Sequence, residues 1–78
     1  MNITVLGAGS WGTTLAHLMS RKHSVSLWAR SAASVSEINN HKTLTRYLDE
    51  ASLHPDLTAH DELEASLSGA EIIIVAIP

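Results

Sequence analysis

Two hydrophobic periods alternate along the chain. A short apolar run, Ile3-Thr4-Val5-Leu6, marks a strand over residues 2–6, and its nearly continuous apolar character suits a parallel strand covered on both faces. From Ser10 to Lys22 the period changes: Trp11, Leu15, Leu18 and Met19 recur at helical spacing and predict a helix that lays this face on the sheet, closed by Arg21, Lys22 and His23. Val25, Leu27 and Ala29 then alternate with Ser24, Ser26 and Trp28, giving a second strand that ends near Arg30. Ala32, Val35 and Ile38 predict a short helix over 31–40 with a stop at Asn39-Asn40, while residues 41–55 hold no sustained period and read as a loop. Leu57-Thr58-Ala59 forms a short third strand. Asp61 is placed to cap the next helix, with Glu64 completing a capping box, Leu63 and Leu67 as the buried stripe and Gly69 as the stop. The run Glu71 to Ile77 is continuous, β-branched and too short for a helix, so it reads as a fully buried fourth strand, ended by Pro78.

Strands alternating with helices imply a parallel sheet with right-handed crossovers, here in the order 3-2-1-4. The junction between the first strand and the first helix carries Gly7-Ala8-Gly9-Ser10-Trp11-Gly12. A strand, a glycine turn and a helix in that order suit a dinucleotide pyrophosphate: Gly7 permits the tight turn, Gly9 lets backbone approach the phosphates, and Gly12 lets helix pack on strand. The helix start adds unpaired N–H groups and the positive end of its dipole. Residues 1–78 therefore read as an α/β, Rossmann-type parallel sheet, incomplete, forming the N-terminal part of a nucleotide-binding domain with no substrate domain of its own.

The second strand ends on Arg30, where an NAD site usually carries Asp or Glu; the next acid, Glu37, falls on the following helix. A guanidinium can pair with the extra phosphate of NADP, a charge-assisted bond worth about 1.5–3 kcal/mol, roughly ten- to hundredfold in affinity. NADP(H) is the expected cofactor, with NAD also accepted.

Composition narrows the classes. With 78 residues there is room for one small domain, and a formal net charge of −3 gives no basic field for nucleic acid. The absence of cysteine removes disulfides and thiol nucleophiles and fits a reducing compartment, the cytoplasm. The chain opens directly into a strand with no basic n-region, and its longest apolar run is far too short to span a bilayer, so neither secretion nor membrane insertion is expected. Five histidines show no ligand spacing on a helix, and Lys22 and Lys42 read as solvated charges. Should the sheet stop at the fourth strand, its unpaired apolar edge is expected to leave the isolated segment marginally stable and prone to self-association; a homo-oligomer is a separate expectation for the full-length protein.

Together with Trp28-Ala29-Arg30, the segment Gly7-Ala8-Gly9-Ser10-Trp11-Gly12-Thr13-Thr14-Leu15-Ala16 closely resembles the opening of the bacterial NAD(P)-dependent glycerol-3-phosphate dehydrogenases. The likeness continues through Tyr47-Leu48, Pro55 and Leu57 into Ile74-Val75-Ala76-Ile77-Pro78. It implies cofactor binding by the glycines and by Ser10, Trp11, Arg30 and Tyr47, although Asp49 stands where the family commonly has proline. It further implies reduction of dihydroxyacetone phosphate to sn-glycerol 3-phosphate, a phospholipid precursor. The family's catalytic lysines match no position here, so these residues alone are expected to bind cofactor without catalysis. A freestanding NAD(P)-binding or redox-sensing module is the alternative.

Overall fold

The computed structural model describes residues 1–43 and 53–76. Seven elements follow in order: β1 (Asn2–Leu6), α1 (Ser10–Met19), β2 (Ser24–Trp28), α2 (Ala32–His41), β3 (Thr58–His60), α3 (Leu63–Leu67) and β4 (Ile72–Val75). The strands form one parallel sheet ordered β3-β2-β1-β4, as the alternation of periods predicts. The register is set by burial: Ile3 sits beside Val25, and Val5 beside Leu27 and Ile74, so one face of the sheet collects the apolar side chains. These pack with Ala16 of α1, Ile38 of α2, and Leu53, Leu57 and Ala59. The opposite face is more polar, carrying Thr4, Ser26 and Thr58 side by side.

α1 has the predicted period, but its buried face is shifted: of the predicted stripe, Met19 packs against the core and Leu15 is half-buried. Gly12, Thr13, Ala16 and Ser20 are buried, whereas Trp11 is 67% and Leu18 51% exposed. Small residues face the sheet because α1 starts almost on top of β1, leaving no room there for a large side chain. The helix also stops at Met19 rather than Lys22. Ser20 Oγ donates to the Ala16 carbonyl at 2.7 Å, and the Lys22 N–H turns back to the Met19 carbonyl at 3.1 Å.

α2 is capped by Ser31, whose hydroxyl accepts from the Ser34 N–H at 3.3 Å. It runs past Asn39-Asn40 because Asn39 is engaged elsewhere: its amide donates to the Ala59 carbonyl at 2.9 Å and accepts from the Ala59 N–H at 2.8 Å. That side chain serves β3 as a strand neighbour would. The stop comes at Lys42, with φ 55, and its ammonium donates to the Leu57 carbonyl at 2.8 Å; Lys42 is half-buried, not the solvated charge expected. Lys22 is exposed, as expected.

Three expectations fail at the C-terminal end. The residue capping α3 is Glu62, not Asp61, and its side chain makes no capping bond. The Asp61 carbonyl is taken by the Trp28 indole N–H at 3.1 Å, which holds Asp61 against β2, one residue short of the cap. On α3, Ser66 is buried and Leu63 exposed, because the Thr4 hydroxyl donates to the Ser66 carbonyl and draws that side to the sheet. β4 is largely exposed, not fully buried: Ile73 is 51% and Val75 67% accessible. Among the described residues it pairs with β1 alone, and α3 lies against β2 and β3 instead of covering it. Gly69 ends α3 as predicted, with φ 73.

Candidate functional site

The C-terminal ends of all four strands meet at one rim. Backbone bonds extend the ladders past the strands: the Gly7 N–H reaches the Trp28 carbonyl at 3.0 Å, Ala29 N–H the His60 carbonyl at 2.9 Å, and Ala76 N–H the Leu6 carbonyl at 2.9 Å. In open α/β sheets ligands bind outside the carboxyl ends of the strands, where crossovers leave to opposite faces. Here that point is the β1–α1 turn, with β2 on one side of β1 and β4 on the other.

Two of the three glycines in this turn are held by the structure itself, each by a different constraint. Gly7 has φ 118, a conformation that a Cβ disfavours strongly. A Cβ on Gly12 would stand 2.0 Å from the Gly7 carbonyl oxygen and 3.2 Å from Ala76 Cβ, so only a hydrogen fits where α1 crosses the turn. Gly9 is under neither constraint. Its φ of −74 and ψ of −177 suit any residue, and a Cβ there would meet nothing within 4 Å. The space in front of Gly9 is open, at the start of α1.

The first intrahelical bond is that of the Thr13 N–H to the Gly9 carbonyl at 2.9 Å, so helix geometry leaves the earlier N–H groups without intrahelical acceptors. The N-cap residue, Gly9, has no side chain to cap the helix, and no acidic residue lies in its first turn. Its positive dipole end is therefore left for an anion.

Residues 2–78 match the family described as NAD-dependent glycerol-3-phosphate dehydrogenase N-terminus. The chain belongs to that family. Among relatives, it is 47% identical over 77 residues to the glycerol-3-phosphate dehydrogenase (NAD(P)+) of Chelativorans sp., covering 97% of this chain and 24% of the relative. Against the enzyme of the same name from Macrococcus caseolyticus it is 39% identical over 79 residues, again 24% of that protein. The crystal structure of glycerol-3-phosphate dehydrogenase from Coxiella burnetii superposes with a TM-score of 0.85 at 39% identity, over 95% of this chain and 23% of that one. For the glycerol-3-phosphate dehydrogenase of Saccharomyces cerevisiae the TM-score is 0.90 at 26% identity, over the whole of this chain and 26% of that one. The chain thus spans about a quarter of the length of the family members it matches.

An NAD(P) cofactor, which the family uses, fits the rim because the face of Gly9 is open. Gly7, Gly9 and Gly12 form the turn, Ser10 is the first residue of α1, and Trp11 stands exposed beside it. The indole of Trp11 does not pack on the sheet, which leaves it available to a ligand. Arg30 is exposed just beyond β2 on the same rim, and no salt-bridge partner holds it among the described residues. Tyr47 lies outside the described residues.

Two features of the rim escape sequence reasoning. Trp28 occupies the polar phase of β2, and nothing in that alternation signals its bond to Asp61. The side-by-side placement of Arg30 and the β3–α3 turn follows only from strand pairing, with Trp28 beside His60. His17 accepts the His54 N–H on Nδ1 at 2.9 Å, tying α1 to the segment before β3. Among the described residues no group of three or more His, Asp or Glu could hold a metal, and no helix is long and apolar enough to cross a membrane.

Proposed function

We propose that this chain is the cofactor-binding front of an NAD(P)H-dependent sn-glycerol-3-phosphate dehydrogenase, a cytoplasmic enzyme that reduces dihydroxyacetone phosphate to glycerol 3-phosphate for phospholipid synthesis. The observation that carries the reading is Gly9: a glycine demanded neither by its own backbone nor by its neighbours, facing open space at an uncapped helix start. The backbone N–H groups at the start of α1 hold the pyrophosphate, with Gly9 giving it close approach. Arg30 pairs with a 2′-phosphate at the end of β2, favouring NADPH over NADH. Ser10, Trp11 and Tyr47 complete the cofactor contacts. When bound, the reduced nicotinamide supplies the hydride that the substrate carbonyl accepts. The residues of this chain bind and orient; none of them is assigned the proton transfer.

Titration of the chain with NADPH and with NADH, monitored by calorimetry, tests the reading, with Arg30→Asp as the comparison. Binding of both cofactors, with a NADPH preference lost in Arg30→Asp by roughly ten- to hundredfold, is expected. Failure of both cofactors to bind would remove the site, and an unchanged ratio in Arg30→Asp would remove the phosphate-pairing role. Reduction of dihydroxyacetone phosphate is tested separately, by loss of nicotinamide absorbance in a polypeptide carrying this chain at the length of its relatives.

A further inference from the structure

The sheet order places a carboxylate where the local sequence lacks one. A dinucleotide whose pyrophosphate lies on the β1–α1 turn extends its adenosine half over the end of β2, and in the order β3-β2-β1-β4 the next strand outward is β3. β2 and β3 are paired through Trp28 beside His60, and the Ala29 N–H bonds the His60 carbonyl at 2.9 Å. The residue after β3 is Asp61. Its backbone is pinned to β2 by the Trp28 indole, and its side chain is exposed, with no salt-bridge partner among the described residues. Adjacent strands lie about 4.8 Å apart, so Arg30 leaving β2 and Asp61 leaving β3 flank the same stretch of rim.

We propose that Asp61 is a second cofactor-selecting residue. Its carboxylate opposes a 2′-phosphate held at Arg30 and offers an acceptor to a free ribose hydroxyl, so the rim accepts both NADPH and NADH instead of NADPH alone. The acid that an NAD site usually carries at the end of the second strand is here supplied by the neighbouring strand, while Arg30 occupies the usual position. Asp61 is available for this role because it does not cap α3; Glu62 stands at the cap. The inference rests on the proposed cofactor site.

Calorimetric affinities for NADPH and NADH in Asp61→Asn test it, with Asp61→Glu and Glu62→Gln alongside. Asp61→Asn keeps the backbone carbonyl that Trp28 bonds, so the fold and melting temperature hold. At low ionic strength the NADPH to NADH affinity ratio is expected to rise about fivefold, as one like charge is removed from within about a Debye length of a phosphate dianion, and the rise shrinks with added salt. Asp61→Glu restores the wild-type ratio, and Glu62→Gln changes it less. Tight binding of both cofactors with the same ratio in wild type and Asp61→Asn overturns this inference and leaves the cofactor site standing. A larger change in Glu62→Gln than in Asp61→Asn also overturns it. If the wild-type chain binds neither cofactor, the site and the inference fall together.

Discussion

Exchanging Gly9 and Gly12 for alanine, one at a time, separates binding from folding within a single turn. On Gly12 the new Cβ would be 2.0 Å from the Gly7 carbonyl oxygen and 3.2 Å from Ala76 Cβ, both backbone and neighbouring strand being fixed by ladder bonds. Relief requires α1 to lift by more than about 1 Å off the turn, and overpacking of this kind costs about 1–3 kcal/mol. For a domain of this size total stability is about 4–12 kcal/mol, so the melting temperature should fall by roughly 5–20 °C. On Gly9 the balance is different. The Cβ meets nothing within 4 Å and the backbone needs no change, so the reduced freedom of the unfolded chain contributes about 0.4–1 kcal/mol in favour of folding. Alanine is a poorer helix cap than glycine by a similar amount, about 0.5–1 kcal/mol, and the two terms offset. Gly9→Ala should therefore melt within about 4 °C of wild type yet bind NADPH at least roughly tenfold more weakly, the methyl standing where the pyrophosphate approaches. Thermal melts followed by circular dichroism, paired with NADPH titration by calorimetry, read both quantities. Wild-type affinity in a folded Gly9→Ala variant would refute the placement of the cofactor, and an unshifted melt in Gly12→Ala would refute the packing argument.

Other expectations follow from single contacts. Asn39→Ala removes both bonds to Ala59 and leaves its buried N–H unsatisfied, so chemical denaturation should show a loss of about 1–3 kcal/mol. Ser31→Ala removes the cap of α2 and should cost about 1 kcal/mol, whereas Glu62→Ala, which deletes no capping bond, should stay within about 0.5 kcal/mol in the same assay. Val75→Lys places a charge on the exposed edge strand and should lower self-association in sedimentation velocity; equal association in both proteins would exclude this edge as the contact.

Much of the architecture was legible from local signals. The period of two in Val25, Leu27 and Ala29, and the β-branched run through Ile72, Ile73 and Ile74, identify strands because backbone pleat and side-chain direction are properties of neighbouring residues. The glycine turn is legible for the same reason: its requirements of φ and close approach fall within six consecutive residues. Alternation of strands and helices, with the right hand of crossovers, then leaves few sheet orders open, and the observed one is among them.

Tertiary structure decided what depends on which element lies across from which. Spacing along α1 defines two adjacent stripes, one large and apolar through Trp11, Leu15 and Leu18, one small through Gly12, Thr13 and Ala16, and the close approach of α1 to β1 selects the small one. The exposure of β4, the engagement of Lys42 by Leu57 and the loss of the Asp61 cap are likewise set by partners distant in the chain. So is the pairing that sets Trp28 beside His60 and brings the ends of β2 and β3 to one rim, which joins residues from two strands separated by a helix and a long connection. Periodicity determines which residues can share a face, because it is written in backbone geometry; packing determines which face is buried, because that depends on the volume the opposing element leaves free.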